Sequence, residues 1–229
     1  MLTFLFSLLL LLAKAQVTEK ITVKAGEDIS TVLSSHGLYR FPSFMNGTVV
    51  FRDKSNAAGR MNFNIFLNEI QFIKPGGDTL SIANPETIDS VVIDTSSFYY
   101  DKGYLQVLLN YNAVRLAMRQ RIEFRPVKVG AFGNQSPGTS IENYGRVSTT
   151  PYINNNQLTL NEDIVVIKET SYFLIYKKYI SIPARRAGFL EIFPDQRKKI
   201  EDFILANKTD FKKVNDLKQL LLFCLQQTQ

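Results

Sequence analysis

Met61-Asn62-Phe63-Asn64-Ile65-Phe66-Leu67-Asn68-Glu69-Ile70-Gln71-Phe72-Ile73-Lys74-Pro75-Gly76-Gly77 carries the period of a β-sheet. Met61, Phe63, Ile65 and Leu67 alternate with Asn62, Asn64, Phe66 and Asn68, so successive side chains fall on opposite faces and one face is apolar. At Asn68-Glu69 the phase flips and Ile70 and Phe72 take the apolar side. Pro75-Gly76-Gly77 then forces a turn, because Pro fixes φ and glycine accepts positive φ. Upstream, Thr48-Val49-Val50-Phe51-Arg52-Asp53 is β-branched and aromatic and runs into a predicted turn over Lys54-Ser55-Asn56-Ala57-Ala58-Gly59. Downstream, Leu80 and Ile82 resume the alternation until Asn84-Pro85. Strands are predicted at 88–94, 98–100 and 104–109, the last two joined by the hairpin signal Asp101-Lys102-Gly103. Turns this close together favour an antiparallel meander over βαβ units, whose crossovers need about a dozen residues or more.

Several blocks of this region also carry a family likeness. Leu38-Tyr39-Arg40-Phe41-Pro42-Ser43-Phe44 with Gly47-Thr48-Val49, then Asn62-Phe63-Asn64, Glu69-Ile70-Gln71-Phe72-Ile73 and Gly77-Asp78-Thr79-Leu80-Ser81-Ile82-Ala83-Asn84, resembles a family of exported proteins of Bacteroidota with no assigned activity. The likeness runs from about Ile21 to the C-terminus, and its most specific piece is the Glu-x-x-Phe-Ile…Gly-Asp-Thr-Leu block. It implies export and a β-rich fold, and it supplies no catalytic residue.

The chain has 229 residues, 45% of them hydrophobic, enough for a sizeable core. Its aromatic residues are all Phe and Tyr, a bias that suits strands. Leu2 to Leu12 is apolar apart from Thr3 and Ser7 and is followed by Ala13-Lys14-Ala15, a small-x-small pattern ahead of Gln16. We read residues 1–15 as a secretory signal peptide, since the run is far short of the roughly 20 apolar residues that span a bilayer. The expected location is therefore periplasmic or extracellular, with no transmembrane span in the mature chain. The formal charge of +6 falls by one when Lys14 is removed. This excess permits attraction to anionic envelope polymers, and nucleic acid is not an expected partner of an exported chain.

Candidate reactive residues are few. His36 is the sole histidine and sits in the polar turn Ser34-Ser35-His36-Gly37, without the partners that a zinc site or a catalytic triad needs, so no metal, no cofactor and no catalytic residue is expected. The only cysteine, Cys224, shares a helical apolar face with Leu220, Leu221 and Leu225 and reads as a buried, inert thiol. In Ala113 to Arg125 the even positions are Val114, Leu116, Met118, Gln120, Ile122 and Phe124. Arg115, Arg119, Arg121 and Arg125 stand at odd ones. A strand puts all four arginines on one face, roughly 6–7 Å between alternate residues. Guanidinium forks match phosphate, carboxylate or sulfate, so these four are the candidate anion-binding residues; the plainer reading is an ordinary solvated face.

Residues 129–157 shift to Gly, Ser, Thr, Asn and Pro and read as a long loop, with strands again at 163–168 and 172–177 joined by Glu169-Thr170-Ser171, and at 179–182. Tyr172, Tyr176 and Tyr179 beside Lys177 and Lys178 are expected to cover a sheet face or edge. Pro194-Asp195 opens a predicted helix that stops at Asn207, and Val214, Leu217, Leu220, Leu221, Cys224 and Leu225 mark a second.

The expected fold is mainly β (α+β), an antiparallel meander sheet or partly closed barrel over 16–190 with a two-helix hairpin over 191–229 packed on it. Three functions fit: a noncatalytic envelope scaffold or binding module, a hydrolase using Glu69 and Asp78 as an acid and base pair, or a small-ligand carrier with an aromatic-lined cavity. The cleavage reading makes Gln16 the mature N-terminus. N-terminal sequencing of exported material should start there, and material retaining Leu2 to Ala15 would refute it.

Overall fold

The computed structural model describes residues 16–27, 32, 37–111, 113–129, 135–137, 163–177 and 180–226. Residues 1–15, read above as a signal peptide, His36, most of the 129–157 loop, Lys178 and Tyr179 lie outside the described residues.

The strands are β1 (Gln16–Val23), β2 (Met45–Phe51), β3 (Asn56–Asn64), β4 (Glu69–Ile73), β5 (Thr79–Ser81), β6 (Ile88–Ile93), β7 (Ser96–Tyr100), β8 (Tyr104–Tyr111), β9 (Val114–Val129), β10 (Gln135–Pro137), β11 (Ile164–Tyr176) and β12 (Ile180–Pro183). Helices α1 (Arg186–Ile192), α2 (Arg197–Ala206) and α3 (Val214–Gln226) follow. All strand pairs are antiparallel. The main path runs β1-β11-β9-β8-β7-β6-β2-β3-β4-β5, with β10 on β9 and β12 on β11. The fold is thus mainly β, and the sheet is open, ending on β1 and β5. Its centre consists of two meanders, β2 to β5 and β6 to β9, joined where β6 returns to pair with β2, and β11 and β1 extend it beyond β9.

β9 organises the interior because its even-numbered side chains serve two cores. Val114 and Leu116 pack with Leu174 of β11 under the helices, against Phe189, Ile200, Leu217, Leu220 and Leu221. Ile122 and Phe124 turn to the other end, where the β3–β4 region folds over them: Phe66 meets Phe124 edge-on at 5.3 Å. Between these ends Gln120 Nε2 donates to Thr170 Oγ1 at 3.4 Å, so the one polar residue in the apolar series of β9 lies at the seam between the two cores. The roll is pinned by Asn68, which adopts a positive φ in the β3–β4 turn. Its Nδ2 donates to Gln120 O at 3.2 Å and its Oδ1 accepts from Tyr104 N at 2.8 Å. Gly103 lies so close that a Cβ there would meet Asn68 Oδ1 at 2.7 Å, and its φ of +119° independently demands glycine.

The segment 38–44 bridges to the end of β3 through Tyr39 and Asn64 and is held by the side chain of buried Asn62. Asn62 Oδ1 accepts from Phe41 N at 3.1 Å, and Nδ2 donates to Phe41 O and Ser43 O at 2.9 and 3.1 Å. The carboxamide thus bonds backbone groups of this segment at both its ends, which is why a polar residue is tolerated at 1% exposure.

The structure corrects the sequence reading in four places. The turn expected at 54–59 is only the tip around Asp53 to Ser55, closed by Ser55 N and Oγ donating to Asp53 Oδ1, and Asn56 to Gly59 continue as strand paired with β2. Glu169-Thr170-Ser171 is not a turn, because β9 pairs β11 without interruption from Ile164 to Ile175. The helical part begins at Arg186 rather than 191 and has three helices; α1 passes over β12 at Gly188, where a Cβ would sit 2.3 Å from Pro183 O. Pro194 and Asp195, expected to open the helix that stops at Asn207, form a 3-10 turn, and α2 itself starts at Arg197.

In α3, Leu217, Leu220, Leu221, Cys224 and Leu225 are buried at the three- and four-residue spacing of one helical face, and Phe203 of α2 stacks on Phe223 at 4.4 Å. Removing residues from Asp195 onward takes Ile200 and these leucines from the core, each contributing roughly 1.5–3 kcal/mol, against a total stability of about 5–15 kcal/mol. The truncated chain should be poorly soluble with a lowered urea midpoint, and an unchanged midpoint would show the helices to be an appended tail.

Candidate anion-binding face

β9 is a single strand through the arginine stretch, so Arg115, Arg119, Arg121 and Arg125 do share its outer face. That face is not evenly solvated. Arg121 is exposed, and the other three are half-buried. Leu105, Ala117 and Ile175 form a small buried cluster on the same side, with Tyr99 and Phe173 packed against it. Arg115 Cζ lies 4.5 Å from the centre of the Tyr99 ring, and Arg119 Cζ lies 4.5 Å from that of Phe173. The guanidinium planes and the stems behind them therefore cover apolar surface and gain cation–π attraction.

Two further anchors come from the β7–β8 tip, where Lys102 and Gly103 both have positive φ and turn consecutive carbonyls toward β9. Arg119 Nη2 donates to Asp101 O, and Arg121 Nη2 donates to Lys102 O at 3.4 Å. Asp101 is itself held, since its carboxylate accepts from Ser181 Oγ of β12. Burial, helped by the neighbouring Arg121, pulls Arg119 below the ordinary guanidinium value, while Asp101 opposes the shift. The side chain stays charged, as guanidinium does throughout the physiological range.

Carboxylates divide the row. Arg125 pairs with Glu123 at 2.9 Å, and Glu169 stands directly across from Arg121 in the β9–β11 register. Buried N–H groups of Arg115 (Nη1), Arg119 (Nε) and Arg125 (Nε) have no acceptor among the described residues.

The other sequence candidates do not assemble. Glu69 accepts from Ser81 Oγ at the base of the β4–β5 hairpin, and Asp78 pairs with Lys74 at 2.7 Å at its tip. The length of β4 separates them by roughly 13 Å, beyond the 5–9.5 Å at which paired glycosidase carboxylates work. The space between the folded sheet halves is filled, with Phe63 in ring contact with Phe98 at 5.4 Å and Tyr104 at 6.1 Å. The Tyr104 hydroxyl is buried there without an acceptor among the described residues, and burial raises its pKa. Tyr172 and Tyr176 cover the sheet face beneath the helices, and Tyr176 donates to Glu191 at 3.3 Å. Among the described residues, no three His, Cys, Asp or Glu side chains lie close enough to share a metal ion, and no helix is long and apolar enough to cross a membrane.

Sequence reasoning missed Tyr99, Phe173 and the carbonyls of Asp101 and Lys102. A signal existed in Phe98-Tyr99-Tyr100, where adjacent aromatics put apolar surface on both faces of one strand, but nothing local ties it to β9. No family model, curated protein or solved structure matches the chain.

Cys224 is 0% exposed on the buried face of α3, and burial pushes its thiol up to about 12. It should resist thiol reagents at pH 8 in the native protein and react fully in denaturant. Rapid native labelling would mean that α3 leaves the sheet readily.

Proposed function

We propose that this chain is an exported, noncatalytic binding or scaffold module of the cell envelope, periplasmic or extracellular, that engages an anionic polymer through the outer face of β9. The observation that carries the reading is the anchoring of Arg119 and Arg121 on the successive carbonyls of Asp101 and Lys102, with Arg119 also laid on Phe173. Guanidiniums fixed in this way lose little side-chain freedom when an anion arrives, and their remaining N–H edges match carboxylate, sulfate or phosphate. The excess of cationic side chains over the whole chain adds long-range attraction of the same sign. The resemblance to exported proteins of Bacteroidota and the leader-like residues 1–15 support the location. They favour acidic polysaccharide or lipopolysaccharide over nucleic acid.

The test is retention of the mature chain on a sulfated polysaccharide column and on lipopolysaccharide at several salt concentrations. Binding should fall steeply with salt, because charges are screened within about 8–10 Å at physiological ionic strength. Arg121→Ala, which alters an exposed side chain, should elute at lower salt than wild type. Arg119→Ala plus Arg121→Ala should elute lower still, with circular dichroism confirming the fold. Equal retention of all three proteins at every salt concentration would reduce the row to a support for the outer aromatic cluster.

A further inference from the structure

The first half of β3 is paired on one side only. β3 pairs with β2 from Asn56 to Met61, but β4 meets it only from Met61 to Asn64, and β4 turns away at Lys74. Along Asn56-Ala57-Ala58-Gly59-Arg60 the backbone groups directed away from β2 meet no strand among the described residues. Asn56, Ala57, Ala58 and Arg60 are all exposed. Such a row of unpaired N–H and C=O groups is a template for another strand, and proteins normally block it with charge, proline or brevity. The other ends of this sheet are blocked. β1 carries Glu19 and Lys20, β12 ends in Pro183, and β5 is three residues long. Positions 56–60 have no proline or lysine, and their one charge is turned aside: Arg60 donates from Nε and Nη2 to Phe44 O at 3.2 and 2.9 Å, back toward the β2 side.

We propose that this edge pairs antiparallel with the same edge of a second copy of the chain, on a two-fold axis at Ala58. In that register Ala58 faces Ala58, Ala57 faces Gly59, and Asn56 faces Arg60, so no like charges meet across the junction. The small side chains let the strands approach to ladder distance without repacking. On the outer face Ala58 continues the row Val92–Thr48–Ala58, which lines a shallow groove of about 380 Å³ with Asn46, Arg60 and Asp94. Pairing doubles this into one uncharged band, Val-Thr-Ala-Ala-Thr-Val, across the junction. A foreign strand would find the same backbone groups, but the symmetric register and matched small side chains favour self-pairing. The net positive charge of each copy opposes association, so salt strengthens the dimer. This sign is opposite to that expected for polymer binding.

The test uses the full mature chain in sedimentation and light scattering from micromolar to hundreds of micromolar, at low and high salt. A concentration-dependent dimer, more populated at high salt, is expected. Ala58→Asp sets two carboxylates against each other on the axis and should shift the protein to monomer without loss of fold. Ala58→Cys should cross-link on mild oxidation, since directly opposed antiparallel residues have Cα atoms about 4.5–5.5 Å apart and disulfides span about 4.4–6.8 Å. Ala57→Cys, whose opposite residue is Gly59, should cross-link far more slowly. The buried Cys224 does not compete. A monomer at every concentration and salt, a dimer unaffected by Ala58→Asp, or cross-linking of Ala57→Cys as fast as of Ala58→Cys would each overturn the proposal.

Discussion

The pairing of β9 with β11, twelve residue pairs in unbroken register from Ile164↔Pro126 to Ile175↔Arg115, is the constraint on which the other parts rest. Antiparallel pairing fixes which side chains share a face, and a shift by one residue would exchange the two faces along both strands. With the register set, Val114, Leu116 and Leu174 can only face the helices, Ile122, Phe124 and Val166 can only face the folded-over meander, and Ala117, Phe173 and Ile175 can only face outward. Three separate hydrophobic clusters are in this way assigned by one ladder.

The outer cluster explains the arginines. Leu105, Ala117 and Ile175 are too few to be sealed by another layer of secondary structure, and long cationic side chains lying on aromatic rings are an economical cover, apolar beneath and charged above. Structural and binding roles are not alternatives at such a surface. The contacts with Tyr99, Phe173 and the β7–β8 tip that cover the cluster also fix the direction of the Arg115 and Arg119 guanidiniums, which is what the proposed anion site requires.

Much of the fold was legible because a period of two survives wherever one side of a strand is buried. The faces of β3, β4 and β9 follow directly from alternation in Met61 to Phe72 and Val114 to Phe124. The misreadings share a cause, which is that tertiary pairing overrode local propensity. Asn-Ala-Ala-Gly has turn-like composition, yet β2 holds it extended. Glu-Thr-Ser looks like a break, but Thr170 is polar because it meets Gln120 at the seam between the two inner cores. Arg186 to Ile192 carries a glycine in mid-helix, required by Pro183 O beneath it and invisible without that neighbour. For the candidate site, the alternation of arginines was readable, whereas their partners come from β7, β11 and a hairpin tip distant in sequence.

The connectivity also dictates an order of events during synthesis. β1 is the first strand of the sheet to leave the ribosome, yet its pairing partner is β11, with Gln16 opposite Ser171 and Val23 opposite Ile164. Nothing can template it until nearly the whole β region has emerged, and closing so long a loop makes this pairing late and slow. Val17, Ile21 and Val23 would be hazardous as a waiting unpaired strand, but Glu19, Lys20 and Lys24 stand among them. The charged pattern of β1 thus reads as protection of a strand that waits unpaired, and two of those residues are retained in the finished protein in ion pairs, Glu19 with Lys168 at 3.6 Å and Lys24 with Asp163 at 2.8 Å, once β11 arrives.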